Sequence, residues 1–555
     1  MTNIKKILFS ILVACSSLCL LPACGEFLDE LPDNRAELDT EEKIYKLLVS
    51  AYSDRSFTRM CELSSDNVDD MGEDFDSWRL LEQIALWTDI IDAENESNQN
   101  IWENYFTAIA HANTALEAIE KLGTPTTLLP AKGEALMCRA YSYFCLSLMY
   151  CLPYHPEKSS EYLGLPYLTE PETTLNPKYE RGTLKEVYEH IAEDIEEALP
   201  LIDDNVYSVP KYHFNRSAAY AFAARFYLYY MKWDRVIECA NEVLGNDPSL
   251  VLRDWTDAAK VDWGRQAFDY IDSSHEFNLM LIATVSNNGN LFNAWSHTGS
   301  RFTHNYRISK HETFRAKRPM GGRYDIGGNM TMTMYQYEPY HNDNCMKIYM
   351  PKWPSQWEVT DAITGVGIGR STMVAFTTNE TLLCRAEAYI HLKQYDLAVA
   401  DLDAWNCSYY KVGQDGVEHL TRERINDVYG NPNSENYIAE YTSAAPTSRK
   451  PLHPHGFTIE PGEQEYMIQC LLFCRRIETL ADGLRWGDVK RYGIVVDRFD
   501  NTNYNDSTTS GFRVADTLDE KDLRRALQLP LDVRFAGLEA NPRNEDEPNH
   551  PFRQE

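Results

Sequence analysis

Apolar residues recur along this chain mostly at helical spacing. Thr183-Leu-Lys-Glu186 is a capping box, and Val187, Ile191, Ile195 and Leu199 follow at four-residue intervals before Pro200. The pattern predicts one amphipathic helix that begins at Thr183 and stops at the proline. Ile44, Leu47, Leu48 and Ala51 likewise share a helical face. Two longer helices are predicted over 105–122 and 131–150.

A second regularity appears when the chain is compared with itself. Ala224-Arg-Phe-Tyr227-Leu228, then Trp233-Asp234 and Ile237, has the spacing of Ala386-Glu-Ala-Tyr389-Ile390, then Tyr395-Asp396 and Val399. Each copy reads as a helix with small residues and a tyrosine, a tight turn, and a second helix opened by an aromatic-Asp pair. That is the logic of a tetratricopeptide repeat, whose units bury a continuous core only by stacking. The units are placed at 183–244 and 377–405, within helical regions of about 40–249 and 377–405. Residues 250–376 and 406–465 break the pattern. They are rich in Gly, Asn and Tyr, and the first holds Trp255, Trp263, Trp295, Trp353 and Trp357. Long inserts of this kind usually carry function, here with the helical stack as support. The fold class is mostly α, a tetratricopeptide-like stack of helix pairs with long irregular inserts carrying the ligand site.

Segment 1–23 reads as an address. Lys5 and Lys6 precede an apolar stretch, 7–21, too short to span a bilayer. It ends in Leu-Pro-Ala-Cys24-Gly, the pattern of a bacterial lipoprotein signal, so Cys24 is the predicted lipidation site. The mature body is then 24–555. Thirteen cysteines contain no C-x-x-C pair, so no zinc or redox signal and no metal ligand set is assigned. Those at 138, 145, 239, 384, 470 and 474 read as small buried hydrophobes.

Composition adds exclusions. A chain of 555 residues that is 43% apolar has the material for a large core. A formal net charge of −31 argues against nucleic-acid binding, which needs cations to neutralise phosphate. The charge is uneven. Residues 62–96 carry a dense series of Asp and Glu against Arg79 alone, read as a solvated acidic face because EF-hand spacing is not met. Residues 301–323 are basic, with Arg301, Arg307, Lys310, Arg315, Lys317, Arg318 and Arg323 against Glu312. Two readings stand for that cluster: pairing with the acidic surface, or a patch that receives carboxylates or sulfates through Arg forks. Gly365-Val-Gly367-Ile-Gly369 lacks the strand–turn–helix context of a nucleotide fingerprint and is read as a flexible loop. No nucleophile elbow, zincin or Ser-x-x-Lys context is present, so no enzymatic activity and no cofactor is assigned.

Seven further motifs, in order along the chain, resemble the SusD/RagB-like lipoproteins of the Bacteroidetes. Cys24-Gly-Glu-Phe-Leu-Asp29 is similar to the start of mature members. Trp102-x2-Tyr105-x3-Ile109-x2-Ala112-Asn113 resembles their early helix. Glu134-Ala-x3-Arg139-Ala-Tyr141 with Leu165-Pro-Tyr167 follows, then Arg181-Gly-Thr-Leu184 to Asp194, and Asn215-Arg-Ser-Ala-Ala219. Asp482-Gly-Leu-Arg485-Trp-Gly-Asp488-Val-Lys-Arg491-Tyr-Gly493 and Leu529-Pro-Leu531 with Asn541-Pro542 close the series, within a C-terminal block of 466–555. Two positions depart: Cys474 stands where a Glu usually precedes the arginine, putting one ion pair of Arg475 in doubt, and Asp482 replaces a Glu.

The resemblance implies a non-catalytic, lipid-anchored outer-membrane protein facing the cell exterior. It would capture nutrient, foremost oligosaccharide, and pass it to a TonB-dependent SusC-like transporter. Peptide or other non-sugar capture, and a purely structural tetratricopeptide scaffold, are the alternatives. Sugar capture asks for flat aromatic faces rimmed by polar groups. Trp78 and Arg79, in the loop region after the first helix that often contributes to capture in such proteins, are candidates, together with Trp295, Tyr306, Arg323, Tyr324, Trp353 and Trp357 in the insert. Trp102, Trp233, Trp405 and Trp486 are assigned to structure.

Overall fold

In the computed structural model, residues 38–543 are described, apart from 95, 173–176, 254, 259, 294–295, 323–346, 349 and 505–509. Cys24, Trp295, Arg323 and Tyr324 therefore lie outside the described residues. No helix among those described is long and apolar enough to cross a membrane.

The fold is mostly helical. The capping box forms as read: Thr183 Oγ1 accepts from Glu186 N at 3.2 Å, and the Glu186 carboxylate accepts from Thr183 N at 2.7 Å. The helix Leu184–Ala198 that follows buries Val187, Ile191 and Ile195. It packs on Leu129–Tyr150, which in turn packs on Asn98–Lys121. The middle helix is buried almost throughout, so it lacks the amphipathic stripe of its neighbours. Its charged residues are consequently clasps. Arg139 holds Asp194 through two hydrogen bonds of 2.8 and 2.6 Å and Asn113 at 2.8 Å, tying three helices together. Glu134 accepts from Tyr52 and has His213 Nδ1 at the same 2.7 Å distance.

The two copies of the repeat stack directly on one another. Arg216–Tyr229 pairs with Trp233–Leu244, Thr378–His391 pairs with Tyr395–Tyr409, and Thr378–His391 packs against both helices of the first pair. The turns are equivalent. Met231 and Lys393 both adopt left-handed backbone, with φ of 60° and 59°. Lys232 N donates to Tyr227 O at 2.9 Å and Gln394 N to Tyr389 O at 2.8 Å. The Trp233 ring stacks on His391 of the other unit at 4.1 Å.

The first insert is not irregular throughout. It contributes a three-stranded antiparallel sheet of order β2-β5-β4, with β2 Asn278–Val285, β4 Gln356–Asp361 and β5 Val366–Thr377. The glycine run expected to be a flexible loop is the start of β5, paired to β4 from Gly367 onward. Strand β5 runs straight into the repeat, since Thr377 caps helix Thr378–His391 by accepting from Glu380 N. A second sheet, β3-β1-β6-β7, joins distant parts of the chain: β1 Asp69–Asp70, β3 Phe302–Thr303, β6 Val496–Asp500 and β7 Arg513–Leu518.

Around β1 lies a buried ion network that corrects the reading of 62–96 as a solvated acidic face. Asp66, Asp69 and Asp70 are buried. Asp69 accepts from Arg307 at 2.5 and 3.1 Å. Asp66 accepts from Arg485 at 2.8 and 2.9 Å and lies 3.4 Å from Arg476. Glu312 joins Arg307, Arg476 and Lys450 at 3.0, 3.0 and 2.8 Å. Burial alone raises the Asp66 and Glu312 carboxyls, but the surrounding cations hold both well below the usual carboxylate range. Burial drives Lys450 the other way, below its ordinary value, against the pull of Glu312 and Asp66. Arg498 faces carbonyls, those of Leu63, Ser65, Val68 and Ala85, and burial brings its pKa down to about 10. Arg475 does not lack partners despite Cys474. It reaches Asp488 at 3.0 Å and lies within 3.9 Å of Glu387 and Glu380.

Truncating one member of such a network leaves its partners charged and buried. Asp66→Ala, which strands Arg485, is expected to cost about 3–5 kcal/mol, read as a fall in the urea midpoint. A second prediction concerns pH. His304 Nδ1 lies 2.9 Å from the Asn67 carbonyl and Nε2 2.9 Å from Thr313 Oγ1, so the first nitrogen donates. Burial, reinforced by Arg476, brings its pKa down to about 3. The unfolded imidazole takes a proton near pH 6.5 and the folded one does not, so its stabilising share is complete above 6.5 and is lost as pH falls toward 3. The loss is about 1.4 kcal/mol per pH unit. Urea midpoints measured from pH 7 to 4 are expected to show this component in the wild type and not in His304→Gln.

Candidate functional site

The candidates divide by burial. Trp353 is 3% exposed and donates from Nε1 to the Ala481 carbonyl at 2.8 Å. Tyr306 is buried, with Arg315 over its ring at 4.2 Å. Both are corrections: their rings are committed to the interior and offer no face to a ligand. Three arginines of the basic cluster are likewise turned inward. Arg301 holds Asp70 at 2.8 and 2.9 Å and Glu82 at 3.3 Å, Arg307 belongs to the buried network, and Arg318 donates to the Phe314 and Gly321 carbonyls. Arg301 and Arg307 thus satisfy the acidic segment and Arg318 the backbone, while Lys317 is exposed beside the Glu435 and Tyr437 carbonyls.

Trp357 is the opposite case, 60% exposed on β4 of the β4–β5 hairpin. Its position is built by the glycine run. Gly369 is its register partner across the strands. A methyl group on Gly367 would come within 2.7 Å of the indole Nε1. The ring therefore lies diagonally over a strip of backbone bared by glycine, with its outer face to solvent. Any side chain at 367 would lift it.

Trp78 and Arg79 stand at the start of helix Arg79–Ala85, Arg79 exposed and Trp78 half-buried. The Trp78 ring packs beside Gly299 and lies over Arg59, 5.9 Å away. Its Nε1 is buried without a hydrogen-bond partner among the described residues, an indole donor left open. Asp76 fixes the neighbouring loop by accepting from Gly299 N at 2.7 Å and, through its carbonyl, from Arg301 N at 3.0 Å.

Both tryptophans are seated on one segment, 286–300. Ser286 N donates to Gly369 O at 3.0 Å, Asn290 accepts from Ser355 Oγ at 2.9 Å, and Gly289 fits closely under Pro354 and Ser355. Sequence reasoning missed what underpins this segment. Buried Glu96 accepts from Arg59 and Ser286 at 2.6 Å each and from Asn287 N at 3.1 Å. Lys347 donates to the carbonyls of Asn290, Ser296 and Thr298. The acid-rich composition of 62–96 hid Glu96 among surface-like neighbours, and nothing in the local pattern singled it out. The arrangement can present flat apolar faces and hydrogen-bonding groups. Among the described residues it brings no nucleophile together with a base.

A cavity of about 810 Å³ lies elsewhere, between helix Asn98–Lys121, residues 166–172 and 177–180, and residues 533–538. Its size suits a small ligand. Trp102 in its wall packs at a tilt on Phe106 and edge-to-face on Tyr150 as part of the helical core, and Glu103, Glu170, Glu172 and Glu180 stand around it.

Comparison with protein families matches residues 26–228 to a model described as starch-binding, associating with the outer membrane, and residues 283–527 to the SusD family model. No curated protein matches. Among solved structures, a SusD superfamily protein from Bacteroides vulgatus superposes with a TM-score of 0.59 at 17% identity, covering 92% of this chain and 99% of that one. A putative sugar binding protein from the same species has the same score and coverages at 18% identity. A SusD-like carbohydrate binding protein, also from Bacteroides vulgatus, gives 0.53 at 14%, covering 89% and 96%.

The burial pattern separates support from recognition. Trp353→Ala is expected to cost about 3–5 kcal/mol, the usual loss for a buried tryptophan, while Trp357→Ala leaves thermal stability within about 0.5 kcal/mol of wild type. Thermal unfolding of the two variants checks this.

Proposed function

The chain belongs to the SusD family, and on that premise we propose that it is a cell-surface oligosaccharide-binding lipoprotein of the outer membrane. It captures ligand and passes it to a TonB-dependent SusC-like transporter. The lipid on Cys24 would hold it at the membrane, and import energy would come from the transporter, so the protein itself need break no bond. Arg139, Asp194 and the repeat turns give a rigid body, as a lid over a barrel requires.

The observation that carries the sugar reading is the exposed Trp357 indole, held beside Gly367 on the β4–β5 hairpin. An aromatic face of this kind stacks on the C–H face of a pyranose ring. Arg79 and the Asn-rich 286–293 segment supply donors and acceptors for ring hydroxyls on the same support. The internal pairing of the basic cluster weakens the case for strongly anionic ligands.

A glycan array probed with the mature protein tests the proposal, with a peptide library as its counterpart. Saturable binding to a neutral oligosaccharide is expected, weakened at least fivefold in Trp357→Ala, the equivalent of about 1 kcal/mol. Binding of peptides alone would replace the sugar reading with peptide capture, and binding of neither would leave the scaffold role. Glycan binding unchanged in Trp357→Ala but lost in Phe106→Ala would move the site to the 810 Å³ cavity.

A further inference from the structure

We propose that Asp403, Cys407 and His419 form a binding site for a borderline-soft divalent transition metal ion, with Zn²⁺ the best fit. Asp403 and Cys407 lie four residues apart on helix Tyr395–Tyr409 and so share one face. His419 comes from the loop that follows and turns back over that face. Their donor atoms converge: His419 Nδ1 is 2.8 Å from Asp403 Oδ2 and 3.7 Å from Cys407 Sγ, and Sγ is 3.9 Å from the same carboxylate oxygen. Ligands about 2.0–2.3 Å from a tetrahedral zinc ion stand about 3.3–3.6 Å from one another. The three atoms need only a few tenths of an ångström of adjustment to surround such an ion. The fourth position faces water, since Cys407 and His419 are exposed.

The carboxylate is aimed. Leu420 N donates to Asp403 Oδ1 at 2.7 Å, and buried Asn406 donates to the same oxygen at 3.2 Å while also holding the Glu418 carbonyl at 3.1 Å. Oδ2 is left to face the thiol and the imidazole. Groups that orient a ligand through its other atom are a common support of metal sites. A thiol, an imidazole and a carboxylate together suit zinc and its neighbours and not calcium or magnesium, which take oxygen. The same geometry argues against a Cys-His-Asp catalytic relay. There the acid and the nucleophile must address opposite ring nitrogens, and here both face Nδ1. Among the described cysteines Cys407 is exposed while the others are buried. No C-x-x-C signal marks the site, because its ligands are Asp-x3-Cys on a helix and a histidine beyond a glycine-containing loop.

An ion here would clip the 411–420 loop to the helix. That loop reaches the end of the described part of the first insert: Val417 bridges Gly321, and Glu418 N donates to Met320 O at 2.8 Å. The ion would thereby brace the base of the ligand-bearing insert against the repeat.

The mature protein, stripped with chelator, is titrated with Zn²⁺ by calorimetry and with Co²⁺ by absorbance. One equivalent of each is expected, with a thiolate-to-cobalt charge-transfer band and the strong visible bands of a tetrahedral ion. Cys407→Ser should abolish the charge-transfer band and, like His419→Ala, weaken Zn²⁺ at least tenfold. Both variants should melt as the metal-free wild type does, and Zn²⁺ should raise the melting temperature of the wild type alone. Absence of saturable Zn²⁺ binding overturns the proposal. So does Zn²⁺ binding unaltered in the Cys407→Ser/His419→Ala double variant, since the ion would then lie elsewhere.

Discussion

The salt-bridged interior around Asp66, Asp69 and Glu312 is the constraint on which the rest of the molecule rests. Three stretches far apart in sequence meet there: the acidic segment after the first helix, the basic segment of the first insert, and the C-terminal block with Arg476 and Arg485. Each stretch alone would carry an intolerable buried charge, and together they neutralise one another. The network also fixes β1, whose two residues pair with β3 on one side and β6 on the other. The N-terminal and C-terminal portions of the chain are therefore held as one body by electrostatics as much as by apolar packing.

This pairing changes what the surface has left for recognition. The richest acidic and basic runs of the sequence are spent on each other, so charge is largely withdrawn from the face built on 286–300. What stands out there is the exposed Trp357 indole and the asparagines of the loop.

The helical frame was legible because its signals are local. A capping box, a four-residue apolar interval and an aromatic-Asp turn act within one or two helical turns, and the repeat could be found by self-comparison even across a long insert. The motifs around Arg139 and Asp488 also proved to be clasps between helices. The insert was legible only in part. Its glycine run lacks the side chains that mark a strand, yet Gly367 lies under the Trp357 indole and Gly369 against Asn287. Trp353, Tyr306 and Trp357 are indistinguishable as letters, and only tertiary burial tells the interior rings from the exposed one. The charged runs were misread on the acidic side for a related reason: whether an Asp is solvated depends on an arginine hundreds of residues away. The Asp403–Cys407–His419 cluster hid because no spacing rule joins a helix face to the loop beyond it.

The two repeat units touch through Trp233 and His391 although an entire insert separates them in sequence. Polymer physics makes that arrangement inexpensive to vary. The entropy lost in closing a flexible loop grows only with the logarithm of its length, by roughly 0.6 kcal/mol for each doubling. Residues can be added to or removed from the segment between the units while the stack's own contacts stay the same. That freedom stops at the stretches of the insert that join the buried network or the sheet, Arg307 and Glu312 among them, so change in length is inexpensive only outside those contacts.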